Sequence, residues 1–277
     1  MATQVIVELD ALDHIGFAEH AASASKPPLS LRDAAASPDT IGLPEDNASH
    51  KRRSWIVITQ LAGINFITSF SNGLLTVGLP TIAADLALHE SLLVWPTAVY
   101  ALTNGTCLLL GGSLADVLGP RPVYITGGFF ISSFILASGL SRTGIELIMF
   151  RAMQGVAGAL VVPSSFSIVS TSIEQGKARN IGFSCLGLAM PLGYSLGLVL
   201  GGVFINSIGW RAGYYVGGAV SFLFWLAGIF ALPTVVAAHP VEVSMSMTRR
   251  LATEIDWVGA ALASACLAMF SYVLAYV

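Results

Sequence analysis

Arg151 is the residue of this 277-residue chain that most constrains its chemistry. It stands six residues into an apolar run that opens at Ile145 and contains LIMFRAMQGVAG. A guanidinium at the centre of a bilayer costs roughly 2.5–3.5 kcal/mol on insertion scales, so it must face a polar interior or snorkel to the nearer edge. Gln154 follows three residues later on the same helical face, which favours an inward polar stripe. Arginine keeps its proton at any usable pH, so Arg151 can tune or pair with a proton carrier but cannot be one. A second polar set, Asn65, Asn72 and Thr76, is spaced seven and four apart, which places one face of a helix against a cavity where substrate could bind. Asp116 and Glu146 are carboxylates at the ends of apolar runs and are the ones within the runs' reach that could carry a coupled proton. No apolar run holds paired carboxylates or a nucleophile beside a base, which argues against an enzyme.

These residues sit in a composition that excludes a water-soluble domain. Only 10% of residues are charged, against about 25% in soluble proteins, while 55% are apolar and the mean hydropathy is +0.75. Residues 1–54 carry eight acids and five bases among Ala, Ser and Pro, with no sustained period, and read as a disordered tail. From Trp55 the chain forms seven apolar runs, 55–79, 92–115, 123–140, 145–170, 181–206, 212–232 and 256–277, with a loop at 233–255. About 20 helical residues cross a hydrocarbon core about 30 Å thick, and lipid offers the backbone no partners, so the runs must be helices. The class is therefore an all-α membrane bundle.

Lys51, Arg52, Arg53, Arg121, Lys177, Arg179, Arg249 and Arg250 fall on the amino-terminal side of the membrane by this topology, and only Arg142 and Arg211 on the other. The excess places the amino terminus in the cytoplasm. Formal net charge is −3 with no basic face, which excludes nucleic acid as a partner. Cys107, Cys185 and Cys266 stand singly and are expected as small core residues rather than metal ligands; no cofactor is implied. His89 and His239 are read as solvated loop residues, and Trp95, Trp210, Trp225 and Trp257 as interfacial anchors.

Residues 111–128, GGSLADVLGPRPVYITGG, align without a gap on residues 201–218, GGVFINSIGWRAGYYVGG. The identities include Gly119 with Gly209, Arg121 with Arg211 and Tyr124 with Tyr214, while Asp116 faces Asn206. Three runs separate the copies, and an odd number reverses direction across the membrane. The pattern predicts two inverted three-helix repeats, a construction of secondary transporters.

Four stretches carry a resemblance to a known family. Gly112 to Arg121 is similar to the loop motif between helices two and three of the major facilitator superfamily. LIMFRAMQGVAG resembles the helix-four motif, and GYSLGLVLGG at 193–202, followed by Gly209-Trp210-Arg211, resembles the helix-five antiporter motif and its exit. Asp256-Trp257-Val258-Gly259 resembles the opening of the linker helix in the fourteen-span drug:proton antiporters of fungi. The resemblance covers Trp55 to Val277 and implies the amino-terminal six-helix bundle of such a transporter plus a truncated seventh span. It implies a proton-driven exporter of small organic molecules in the plasma membrane or an organelle membrane. Gly112, Asp116, Gly119 and Arg121 would form a conformational latch that holds the outward-facing state. Pro191, Gly193, Gly197, Gly201 and Gly202 would form a close-packed, kinked helix five on which the repeats rock. The sequence departs from the family pattern at Leu198, where proline is usual, and at Ser71, where helix one often has an acid. A transporter of this kind needs two bundles around a midplane site. The expected partners are thus lipid, a small-molecule substrate and a missing carboxyl-terminal half. A non-transporting remnant, a half that pairs with another chain, and a seven-helix receptor are the competing readings.

Overall fold

A computed structural model of the chain describes residues 44–232 and individual positions between 257 and 273. The expected loop at 233–255, most of the seventh span and most of the expected tail lie outside the described residues. The chain divides into two units, Met1–Ala48 and Ser49–Val277, and of the first only the opening of a helix at 44–48 is described.

Every regular element among the described residues is helical. The main helices are α1 (Pro44–Asp85), α2 (Trp95–Leu118), α3 (Pro120–Leu140), α4 (Gly144–Ser172), α5 (Lys177–Ser207) and α6 (Trp210–Ala231). Among the described residues six stretches are long and apolar enough to cross a membrane, the first being Arg52–Asp85. The sequence reading therefore matches the helices in number and order over 55–232 but ends the first too early. Leu79-Pro80 does not stop α1, which continues to Asp85. Pro163 and Pro191 likewise sit inside α4 and α5, and α5 is assigned as continuous helix across Pro191. Proline is tolerated inside membrane helices because neighbouring groups re-satisfy the backbone it frees.

The local signals explain the helix ends. Thr143 caps α4 by accepting the Glu146 N–H at 3.2 Å, and the Glu146 carboxylate accepts the Arg142 N–H at 2.8 Å. This reciprocal arrangement accounts for Glu146 as a capping residue. The aligned glycines Gly119 and Gly209 precede α3 and α6 with nearly the same backbone, φ 91° and ψ 146° against φ 92° and ψ 155°. Side-chain-bearing residues rarely adopt that region, so glycine is required at both turns.

The inverted repeat is visible in how these turns are tied down. Arg121, at the start of α3, donates to the Ile229 carbonyl near the end of α6 at 3.0 Å. Arg211, at the start of α6, donates to the Ser141 carbonyl just past the end of α3 at 3.2 Å. Each start lies beside the other's end, so α3 and α6 are antiparallel and the two glycine turns emerge at opposite ends of the bundle. Between them the Ser132 and Ser221 hydroxyls meet at 2.8 Å, and the Trp225 indole donates to the Ile125 carbonyl at 2.9 Å. The Trp225 indole thus ties α6 to α3. The core runs along α1, with Leu61, Ile64 and Leu75 fully buried together with Ile131, Ile135, Leu147 and Tyr214.

Candidate functional site

Arg151 is buried at 1% exposure among α1, α2 and α4. The helical period brings Gln154 to the same face of α4, and one Arg151 Nη1 bond runs to Gln154 Oε1 at 2.9 Å. From α1, Ser71 Oγ accepts from Nη1 at 3.4 Å and Asn72 Oδ1 accepts from Nη2 at 2.5 Å. From α2, the Pro96 carbonyl accepts from Nε at 3.3 Å, and the Tyr100 ring lies under the guanidinium at 5.0 Å. All of these partners are neutral. A buried cation is here held by oriented dipoles and a π face in place of a carboxylate. Burial of the group settles the choice left by the sequence: Arg151 turns inward and does not snorkel.

The other sequence-predicted residues divide around this centre. Asn72 belongs to it, and its carbonyl accepts the Thr76 hydroxyl at 2.9 Å. Thr76 is exposed and also accepts from Tyr194 of α5 at 3.3 Å. Asn65, two turns earlier, is buried and bonds instead to Ser165 of α4 at 3.2 Å and to the Leu61 carbonyl at 2.8 Å. The expected single cavity-lining face of α1 is therefore two joints and one exposed hydroxyl. Gln154 Nε2 and the Tyr214 hydroxyl are buried with no hydrogen-bond partner among the described residues.

Two close helix crossings brace the centre. On the α1–α5 side, a Cβ on Gly193 would overlap the Phe66 carbonyl oxygen, and one on Gly197 the Phe70 carbonyl oxygen. Gly73 on α1 is opposed in the same way by the Tyr194 carbonyl. Gly201 is looser, 3.2 Å from Leu74, and Gly202 has ordinary clearance, 4.0 Å from Val77. The sequence spacing of four placed Gly193, Gly197 and Gly201 on one smooth face of helix five. The structure makes Gly193 and Gly197 the contact and leaves Gly202 and Pro191 beside it, Pro191 being exposed. On the α2–α4 side, Gly111 and Gly155 make the equivalent crossing, against the Ala159 carbonyl and the Thr103 hydroxyl. Thr103 bonds the Ala152 carbonyl at 2.9 Å and Asn104 bonds the Gly155 carbonyl at 3.3 Å.

Of the loop residues, Gly119 and Arg121 form the turn and tie described above, Gly112 is half-buried at ordinary contact distance from Pro163, and Asp116 is exposed at the end of α2. At the opposite end of the bundle Asp85 has the role its sequence position hid. Its Oδ2 accepts from Arg211 Nη1 at 2.5 Å and from the Trp210 indole at 3.1 Å, while Arg211 stacks over that indole at 4.4 Å. Cys107 and Cys185 are half-buried, Cys185 packing against the core as expected of a small core residue, and Cys266 is exposed. His89 caps the short turn at Glu90–Leu92, meeting Ser91 Oγ at 2.9 Å.

Residues 61–277 match the profile of the Major Facilitator Superfamily. The chain belongs to this superfamily. It is a multi-pass membrane protein whose family and curated relatives are transporters, not enzymes. Among curated proteins it is 37% identical over 251 residues to MFS-type transporter 1 of Pyricularia oryzae, covering 82% of this chain and 41% of that protein. It is 32% identical to the cephamycin export protein CmcT of Amycolatopsis lactamdurans, covering 53% and 30%, and 29% identical to the puromycin resistance protein pur8 of Streptomyces alboniger, covering 67% and 38%. The chain thus spans less than half the length of each of these relatives. Among solved structures, a peptide transporter POT in complex with sulfate superposes with a TM-score of 0.61 at 21% identity, covering 77% of this chain and 46% of that one. That likeness establishes the superfamily fold alone.

Proposed function

We propose that this bundle is the amino-terminal half of a fourteen-span, proton-driven exporter of small organic molecules in fungi. The observation that carries the reading is the Arg151 centre, a fixed buried cation shared by α1, α2 and α4 with only neutral partners. A cation so held has no carboxylate to neutralise it. It repels an incoming proton or cationic substrate until the dipoles around it rearrange, and in that way can link loading of the site to the positions of three helices. The printed names of two relatives, a cephamycin exporter and a puromycin resistance protein, support export of organic molecules. The α1–α5 crossing supplies a close contact along which repeats can shift, and the Gly112–Arg121 turn a joint that can favour one state. The driving force in this reading is a proton gradient, with no cofactor.

Since relatives of this chain are more than twice its matched length, the transporting unit in this proposal is the bundle together with a second bundle that completes the midplane site. The test is uptake into proteoliposomes holding this chain with the carboxyl-terminal half of the Pyricularia relative. Puromycin is the probe, under an imposed pH gradient. Accumulation that needs the gradient and disappears with Arg151→Gln supports the reading. Equal puromycin movement with and without the gradient sinks proton coupling, and no movement under either condition sinks export of this class.

A further inference from the structure

A groove of about 460 Å³ runs between the amino-terminal part of α1 and the carboxyl-terminal part of α6. This lies within the about 300–1,000 Å³ usual for small-ligand sites. Arg52, Trp55, Ile56 and Thr59 follow helical spacing along α1, and Phe224, Ala227 and Ala231 do so along α6. The hollow arises because the large Trp55 and Ile56, each 45% exposed, face small alanines across the gap. Its polar floor is already occupied, since Gln60 Nε2 donates to the Phe224 carbonyl, so what remains is an apolar trough.

The charge at the trough is of one sign. Arg52 lines it and is exposed, Lys51 and Arg53 flank Arg52 in the sequence, and no acid is among the lining residues. From α3, Arg121 reaches the Ile229 carbonyl, one of the last of α6, between the positions of Ala227 and Ala231. That bond offsets the partial negative charge that a helix end would otherwise place there. An apolar trough between two membrane-length helices, with cations at one end, has the chemistry of a tail beneath an anionic headgroup.

We propose that this groove holds one tail of an anionic glycerophospholipid, with the headgroup phosphate on the Arg52 guanidinium. A basic residue at a membrane surface strengthens anionic lipid association about fivefold. The trough adds registry for the tail, which sets this site apart from diffuse attraction to a basic stretch.

Trp55 is a built-in reporter. The full chain is reconstituted in phosphatidylcholine vesicles containing a minority of phosphatidylserine, with bromine carried first on the serine lipid and then on the choline lipid. Subtraction of a Trp55→Phe sample isolates the Trp55 signal. The expected result is quenching by brominated phosphatidylserine beyond its mole fraction, lowered about fivefold by Arg52→Gln. Ala227→Leu should remove the excess while leaving Arg52 in place, and Ala231→Val serves if that variant does not fold. Equal quenching per bromine from both lipids overturns the proposal, as does an excess that survives Arg52→Gln. An excess that survives filling of the trough reduces the effect to headgroup attraction and overturns the tail site. Absence of quenching by either lipid means that protein covers the groove, with the same consequence.

Discussion

Arg121 and Arg211, ninety positions apart, close the same joint from opposite ends of one helix pair. Each follows a left-handed glycine by two residues and donates to a carbonyl at the far end of the other's helix, at 3.0 and 3.2 Å. A chance likeness of two glycine-rich stretches would not yield matching φ and ψ at Gly119 and Gly209 together with reciprocal arginine ties. The pairing shows that the two three-helix units are related by inversion.

Placing the turns on opposite faces makes the topology directly testable. Single cysteines at Asp116 and Asn206, in a chain with Cys107, Cys185 and Cys266 replaced, should label from opposite sides of sealed vesicles with an impermeant maleimide. Labelling of both from one side would refute the inverted repeat.

The matching turns also predict matching costs. Gly119→Ala and Gly209→Ala should each destabilise the bundle by about 1–2 kcal/mol, because a Cβ disfavours the left-handed region. Thermal unfolding followed by tryptophan fluorescence reads both, and a loss at one position alone would contradict equivalent joints.

For the buried cation, Arg151→Lys keeps the charge but cannot reproduce a fork that bonds Ser71, Asn72, Gln154 and the Pro96 carbonyl together. The expected loss is about 1.5–3 kcal/mol, the range for a hydrogen bond to a charged group. A denaturation midpoint unchanged from the parent would remove Arg151 from the structural centre.

At the other end of the bundle, Asp85 and Arg211 are 46% and 39% exposed, so solvent screens their attraction. A double-mutant cycle of Asp85→Asn and Arg211→Gln should return a coupling of only about 0.2–1 kcal/mol, falling with added salt. Arg211→Gln alone should cost more than the coupling, because it also strips the Ser141 carbonyl and the Trp210 ring of their partner.

The helix-five glycines separate cleanly by clearance. Gly193→Ala and Gly197→Ala should cost about 1–3 kcal/mol as overpacked contacts, whereas Gly202→Ala, whose Cβ would meet Val77 at an ordinary contact distance of 4.0 Å, should be nearly silent. Comparable melting temperatures for all three would show that the crossing opens without resistance.

Much of this molecule was legible because lipid leaves the backbone few options. Apolar run length gave six helices, and the gapless match of 111–128 on 201–218 gave their inversion. Arg151 and Gln154 could be paired from spacing alone, since helical period fixes which side chains share a face. Asp85 was illegible because its partner lies 126 residues away in sequence, and nothing local marks an acid at a helix end as an ion-pair member. Tyr100, Thr103 and Asn104 were missed for a related reason: their partners are the Arg151 charge and α4 carbonyls, and a carbonyl leaves no signature in sequence. Glu146 was different. Thr143 stands three residues before it, a capping-box spacing that identifies a helix start.

The α1–α5 crossing fixes how the protein can repair damage to itself. What opposes Gly193 and Gly197 is the oxygen of Phe66 and of Phe70, an atom every residue type contributes alike. No exchange of side chain at 66 or 70 can therefore make room for an added methyl. A suppressor of such a lesion has to arise elsewhere and displace a whole helix, so neither glycine should have a co-varying neighbour to betray it.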